Sequence, residues 1–336
     1  MKLAWRTAAV LTIVSTTASA QVAGASDKSL ADSIRARLDA ESFSGVVLVA
    51  RRGDPVVELA RGQSNRAKAV ANTMATRFQL ASGDKWFTKI AISQLVAAGW
   101  VKVTDTVGKF LPDYPNAIVR SKVTVEQLLT HRSGLGAYFN DAYFARREKL
   151  WTLEDVVALF SSEEPAFPPG ERMRYSNNGY ILLGRIVEVA SGMSWYDYVQ
   201  KRIFDPVGMA KTGYLTLEEW PADKAVGYTI ADTSQPAREN TSSIAFRGSS
   251  AGGGYSTVGD LLKLDLALRR GEVGDSAVLG RITARAPGGR MVMANGGGPG
   301  ANVEISRVGD YTIVVMANLD PPAATRVLSY IVSRLQ

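Results

Sequence analysis

Two β-rich stretches at opposite ends of the chain, separated by a long run that reads mostly as helix, constrain the fold more than any other feature. Near the start, Phe43 to Arg51 and Pro55 to Ala60 are rich in β-branched residues and flank Arg52-Gly53-Asp54, a hairpin signal. Near the end, Met291 to Ala294, Asn302 to Ser306 and Tyr311 to Ala317 carry strand patterns, with Gly309-Asp310 as a turn. An isolated hairpin buries too little apolar surface to be stable. The two ends are therefore expected to join in one antiparallel sheet of about five strands, an α/β (α+β) fold with helices on the sheet. Ser29 to Ala40, with Leu30, Ile34 and Leu38 at helical spacing, and the segment after Pro321-Pro322 supply flanking helices. This divides the chain into a sheet region, 21–80 and 246–336, and a helical region, 81–245.

The helical region carries its own punctuation. Thr124 to Gln127 and Thr152 to Asp155 have capping-box spacing, and Ser194 to Asp197 resembles it. Asn178 to Ala190 is amphipathic, and Gly192 is a natural stop. From Asp84 to about Ala98 the pattern is broadly apolar, predicting a helix buried on most sides.

At the head of that buried helix stands Ser82-Gly83-Asp84-Lys85, and Ser-x-x-Lys occurs nowhere else in the chain. A serine hydroxyl is a poor nucleophile without a neighbouring base. A lysine three residues on shares its helix face, and burial lowers its pKa so that it can accept a proton. The ordinary alternative is a capping serine followed by a surface lysine. A proton shuttle is then needed, and Tyr175-Ser176-Asn177, between Pro168-Pro169-Gly170 and a helix, supplies a phenol and an amide. Tyr114-Pro115-Asn116 and Tyr138-Phe139-Asn140 share the spelling but read as loop turns.

Composition removes other classes of function. There is no cysteine and a single histidine, His131, so neither a disulfide scaffold nor a usual His/Cys zinc site is expected, and no metal or cofactor is called for. The formal charge of +7 is scattered in singles and pairs, without the stripe that nucleic-acid binding needs. Residues 1–20 read as an export signal: Lys2 and Arg6, the apolar stretch Thr7 to Val14, and Ala18-Ser19-Ala20 as cleavage site. A secreted or periplasmic location is expected. No segment has the length of a membrane span, so stable insertion is not.

Taken in order, several motifs resemble class C β-lactamases, D-alanyl-D-alanine carboxypeptidases and related esterases. They are Phe78 to Pro112, Thr124 to Leu135, Pro168 to Gly192, Phe204 to Tyr214, and Gly252 to Thr257 with Asp260. The resemblance implies a β-lactamase/transpeptidase-like hydrolase over residues 21–336, with Ser82 as acylated nucleophile, Lys85 and Tyr175 as acid/base pair and Asn177 as a substrate-binding amide. It makes His131 structural. The chain departs from the family at its third motif, where a Lys or His is followed by a small residue and Gly. Here stands Met293-Ala294-Asn295-Gly296-Gly297-Gly298-Pro299-Gly300, and either Ala294 or Asn295 takes the cationic place. Asn295, Gly297 and Gly298 are the candidate substrate contacts, the glycines through backbone N–H groups. With no cation there, unless Arg285 or Arg290 folds back, short uncharged acyl esters are the expected substrates. D-alanyl peptides and lactams are the alternative, and a silent binding protein of the same fold is a further one. Two decoys are set aside: Lys211-Thr212-Gly213 lies in the wrong place, and Gly248-Ser249-Ser250-Ala251-Gly252 has no later histidine to complete an α/β-hydrolase triad.

Overall fold

The computed structural model describes residues 17–230, 236–283 and 290–335. Most of the expected export signal lies outside the described residues, and Ala18-Ser19-Ala20 falls at the start of a helix, α1 (Thr17–Ala40). The two chain ends do build one antiparallel sheet. Its strands are β1 (Gly45–Arg51), β2 (Asp54–Arg61), β3 (Met291–Gly298), β4 (Ala301–Val308) and β5 (Tyr311–Ala317), in the order β2-β1-β5-β4-β3. The β1–β2 turn uses Arg52 at φ 54° and Gly53 at φ 100°. Two consecutive positive φ values match the right-handed twist of the flanking strands.

Strand β1 is buried on both faces, which its continuous run of apolar residues requires. Val47 and Val49 face one side with Ile313 and Val315, where Ile34 and Leu38 of α1 meet Val327, Leu328 and Ile331 of the last helix, α5 (Ala323–Leu335). Val46 and Leu48 face the other side with Val314 and Met316, in the larger core that the helical region shares. The alternation follows from the two-residue period of a strand.

Within that larger core lies α2 (Lys85–Ala97), buried over most of its surface and packed on α3 (Asn177–Ser191). Ser176 caps α3 by accepting from the Gly179 N–H at 2.9 Å, and Gly192 ends it at φ 69°. Both capping boxes, Thr124 with Gln127 and Thr152 with Asp155, form as the sequence predicts. A further helix, α4 (Val258–Arg269), is capped by Thr257 and packs on β5. The fold thus places α2, the edge strand β3 and the cap of α3 around one point.

Candidate active site

Ser82 sits in a 3-10 turn, Ala81–Asp84, that runs directly into α2. A two-residue ladder joins Phe78 and Gln79 to Ser256 and Tyr255 and delivers the chain to this turn. Ala81 is held at φ 46°, a left-handed conformation that an alanine adopts only under compulsion from its surroundings. The compulsion is visible: Ala81 O accepts from Gly253 N–H at 3.1 Å, and Leu80 N–H donates to Gly254 O at 2.8 Å. On the other side β3 presses against the turn. A Cβ at Gly296 would lie 2.1 Å from Leu80 O and 2.6 Å from Gly83 N, so only glycine is compatible with this approach.

Four of the residues expected from sequence converge here. Lys85 Nζ lies 3.1 Å from Ser82 Oγ and donates to Asn177 Oδ1 at 2.7 Å and to the Ala251 carbonyl. Tyr175 donates its hydroxyl to Ser82 Oγ at 2.7 Å. Lys85 is 6% exposed, and desolvation holds its ammonium well below the ordinary lysine range, partly opposed by neighbouring Asp84. Burial pushes the Tyr175 phenol upward, against the pull of its bond to Ser82, so it rests as a proton donor. A hydroxyl with a depressed amine and a phenol on the same oxygen is equipped to lose its proton as it attacks a carbonyl.

His131 braces this arrangement from behind. Its ring lies 4.6 Å from the Tyr175 ring and 5.0 Å from that of Tyr180, and its Nδ1 accepts from Ser176 N–H at 3.1 Å. Burial, helped by Lys85, pushes His131 down to about 4, so it is neutral near pH 7 and supports the tyrosine without titrating.

The third motif divides. Gly297 and Gly298 line the same cavity as Ser82, Tyr175 and Asn177, and β3 is the edge strand, so its outer row of backbone groups is not consumed by the sheet. Asn295 corrects the expectation. It pairs with Glu304 across the sheet, and its amide donates to Glu304 Oε1 at 2.6 Å, an oxygen that also accepts from Thr325 Oγ1 of α5. Neighbouring residues on a strand face opposite ways. Ala294 and Gly296 face the Ser82 turn, as Gly83 in that turn records, and Asn295 faces away from it. Its side chain is thus turned toward Glu304 and not toward a substrate at Ser82. Arg290 bonds Ser306 at 3.2 Å, and Arg285 lies outside the described residues.

Other look-alikes resolve as structural. Asn116 and Asn140 cap short helices by accepting from Val119 and Tyr143 N–H, each at 2.9 Å. Ser250 is wholly buried and bonds Tyr180 O at 2.9 Å, and Lys211 pairs with Asp223 at 2.7 Å. Two contributors lie outside the residues expected from sequence. Ala251 offers only a carbonyl, which no side-chain motif records. Asp84, fully buried, accepts from Gly254 N–H at 2.7 Å and so ties the glycine loop to the turn; its spelling within Ser-x-x-Lys was the available signal.

A five-stranded antiparallel sheet with Ser-x-x-Lys at the head of a buried helix defines a serine hydrolase of the β-lactamase/transpeptidase-like fold. Residues 30–335 match the Beta-lactamase family, a family of serine hydrolases, and the chain belongs to it. It is 36% identical over 174 residues to penicillin-binding protein 4* of Bacillus subtilis, covering 51% of this chain and only 38% of that protein. It is 27% identical to the putative penicillin-binding protein PbpX of the same organism, over 82% of this chain and 71% of the relative. Among solved structures, a penicillin-binding protein from Bacillus halodurans superposes with a TM-score of 0.80 at 31% identity, covering 89% of this chain and 98% of that one.

Proposed function

We propose that the protein cleaves short, uncharged acyl esters through an acyl-enzyme on Ser82. The observation that carries this is the pair of bonds to one oxygen, Tyr175 at 2.7 Å and Lys85 at 3.1 Å, beside a strand with no cation facing the turn. In this reading Lys85, with Tyr175 as relay, takes the Ser82 proton as Oγ attacks the ester carbonyl. Backbone N–H groups of the Ser82 turn and of Gly297 or Gly298 receive the oxyanion. Tyr175 returns the proton to the leaving alkoxide, and the same pair then activates water to release the acid.

The uncharged preference rests on where the cations go. Among the described residues two line the cavity, Lys224 and Arg247, and both are engaged. Lys224 Nζ lies 3.9 Å from the Trp220 ring and 4.4 Å from that of Tyr255, and burial pushes it down to about 8. Arg247 stacks on Tyr196 at 3.6 Å and donates to Tyr214 O at 3.0 Å. We further propose export, on the strength of residues 1–20; among the described residues no helix is long and apolar enough to cross a membrane. A panel of acetyl and butyryl esters, a penicillin and a D-alanyl-D-alanine peptide, run on purified protein, tests the substrate reading. Faster cleavage of the penicillin or peptide would replace it with the lactamase or carboxypeptidase alternative. No turnover and no labelling of Ser82 by a fluorophosphonate would leave a binding protein.

A further inference from the structure

The cavity beside Ser82 is larger and more apolar than a short ester requires. It holds about 540 Å³, and no carboxylate is among the described residues that line it. One wall is a continuous aromatic cluster: Tyr138, Phe139, Tyr143 and Phe144, with ring centroids 4.6 to 5.4 Å apart. Leu217 and Ile244, from a different part of the chain, line the cavity with it. Phe139 and Phe144 remain 51% and 52% exposed, although the chain buries most of its other phenylalanines. Large rings left uncovered around a cavity that also contains a nucleophile mark a site for an apolar group.

We propose that this chamber is the acyl pocket, and that the favoured substrates are esters whose acyl group is a medium-length alkyl chain of about six to eight carbons or an aryl ring. The inference rests on the uncharged-ester reading above and revises its acyl length, from short groups as the expected substrates to longer ones as the favoured substrates, with short esters still turned over but more slowly. An acetyl group leaves the aromatic wall wet, whereas a longer chain removes it from water. Each methylene so buried is worth up to about fourfold in kcat/KM, from the usual transfer free energy of a CH2 group. The gain ends where the chain outgrows the chamber.

The test is a series of p-nitrophenyl esters from acetyl to dodecanoyl. Acetyl turnover reports on the ester reading alone, and the ratio of octanoyl to acetyl reports on the pocket. The ratio is expected to exceed about tenfold and to fall again at dodecanoyl. Ile244→Trp, which fills the chamber, and Phe144→Ala, at an exposed ring, should each lower the ratio at least about fivefold while the protein stays folded by circular dichroism. A flat or falling series, or a ratio unchanged in both variants, overturns the proposal. Calorimetry of octanamide against acetamide with Ser82→Ala keeps the question open to decision even if no ester is turned over. Tighter octanamide binding, lost in Ile244→Trp, supports the pocket, and equal binding sinks it.

Discussion

The Tyr175 hydroxyl donates to Ser82 Oγ at 2.7 Å across 93 residues of sequence. Among the described residues that oxygen is the only serine oxygen with both a phenol and an amine upon it, since Lys85 approaches it at 3.1 Å. Ser82→Ala should therefore abolish turnover and fluorophosphonate labelling with little change in melting temperature. Labelling retained in that variant, mapped by mass spectrometry to another serine, would refute the assignment. Ser250 is not a candidate for it, being wholly buried.

Tyr175→Phe removes the shuttle and keeps the ring that packs on His131. A loss of about a hundredfold or more in kcat is expected, the ordinary scale of general acid–base catalysis. Tyr114→Phe, in a buried core position, should change kcat by less than about threefold. Steady-state kinetics of the two variants side by side decides between them.

The base imposes a pH dependence whose sign is determined. Burial lowers Lys85, so the neutral amine persists well below the ordinary lysine range. As pH falls through the folded-state value, the amine gains a proton, cannot accept another, and activity drops; raising the pH restores it. The acid limb of kcat/KM should thus lie far below that of a free lysine. His131, held near 4, cannot produce a limb near neutrality. Lys85→Arg, always charged, should be almost inactive at every accessible pH. An acid limb unmoved at about 10 would contradict the burial of Lys85.

Asn295 has a structural task in this fold. Asn295→Ala should leave ester turnover nearly unchanged and lower stability by about 1 kcal/mol, since buried Glu304 loses a donor. Asn295→His should not confer a preference for carboxylate substrates, because that side chain faces Glu304 and α5. Urea denaturation and the substrate panel measure the two effects separately.

Gly296→Ala tests the contact between β3 and the Ser82 turn. The added Cβ would meet Leu80 O at 2.1 Å, and since that oxygen is backbone and cannot swing aside, strand or turn must move. Overpacking of this kind costs about 1–3 kcal/mol. A displaced turn misaligns Ser82, so kcat should fall by roughly a hundredfold or more, as it does when a reacting group moves by an ångström. Wild-type activity in this variant would show that β3 does not hold the turn.

Local signals in the sequence determined the elements, the caps and the nucleophile turn. Strand periodicity, capping spacings and a single Ser-x-x-Lys ahead of an apolar run all depend on residues within a few positions of one another. For that reason the five-stranded sheet, α2 and the stop of α3 at Gly192 are where the sequence places them. What only the tertiary structure decided involves partners far apart. Three tyrosines share the Tyr-x-Asn spelling, and packing against His131 and Ser82 selects Tyr175. Period two says that Ala294 and Asn295 face opposite ways, but pairing with β4 decides which of them meets the nucleophile. The aromatic wall of the chamber is brought to Ser82, Leu217 and Ile244 by chain folding alone, because apolar contact is non-directional and leaves no motif to read.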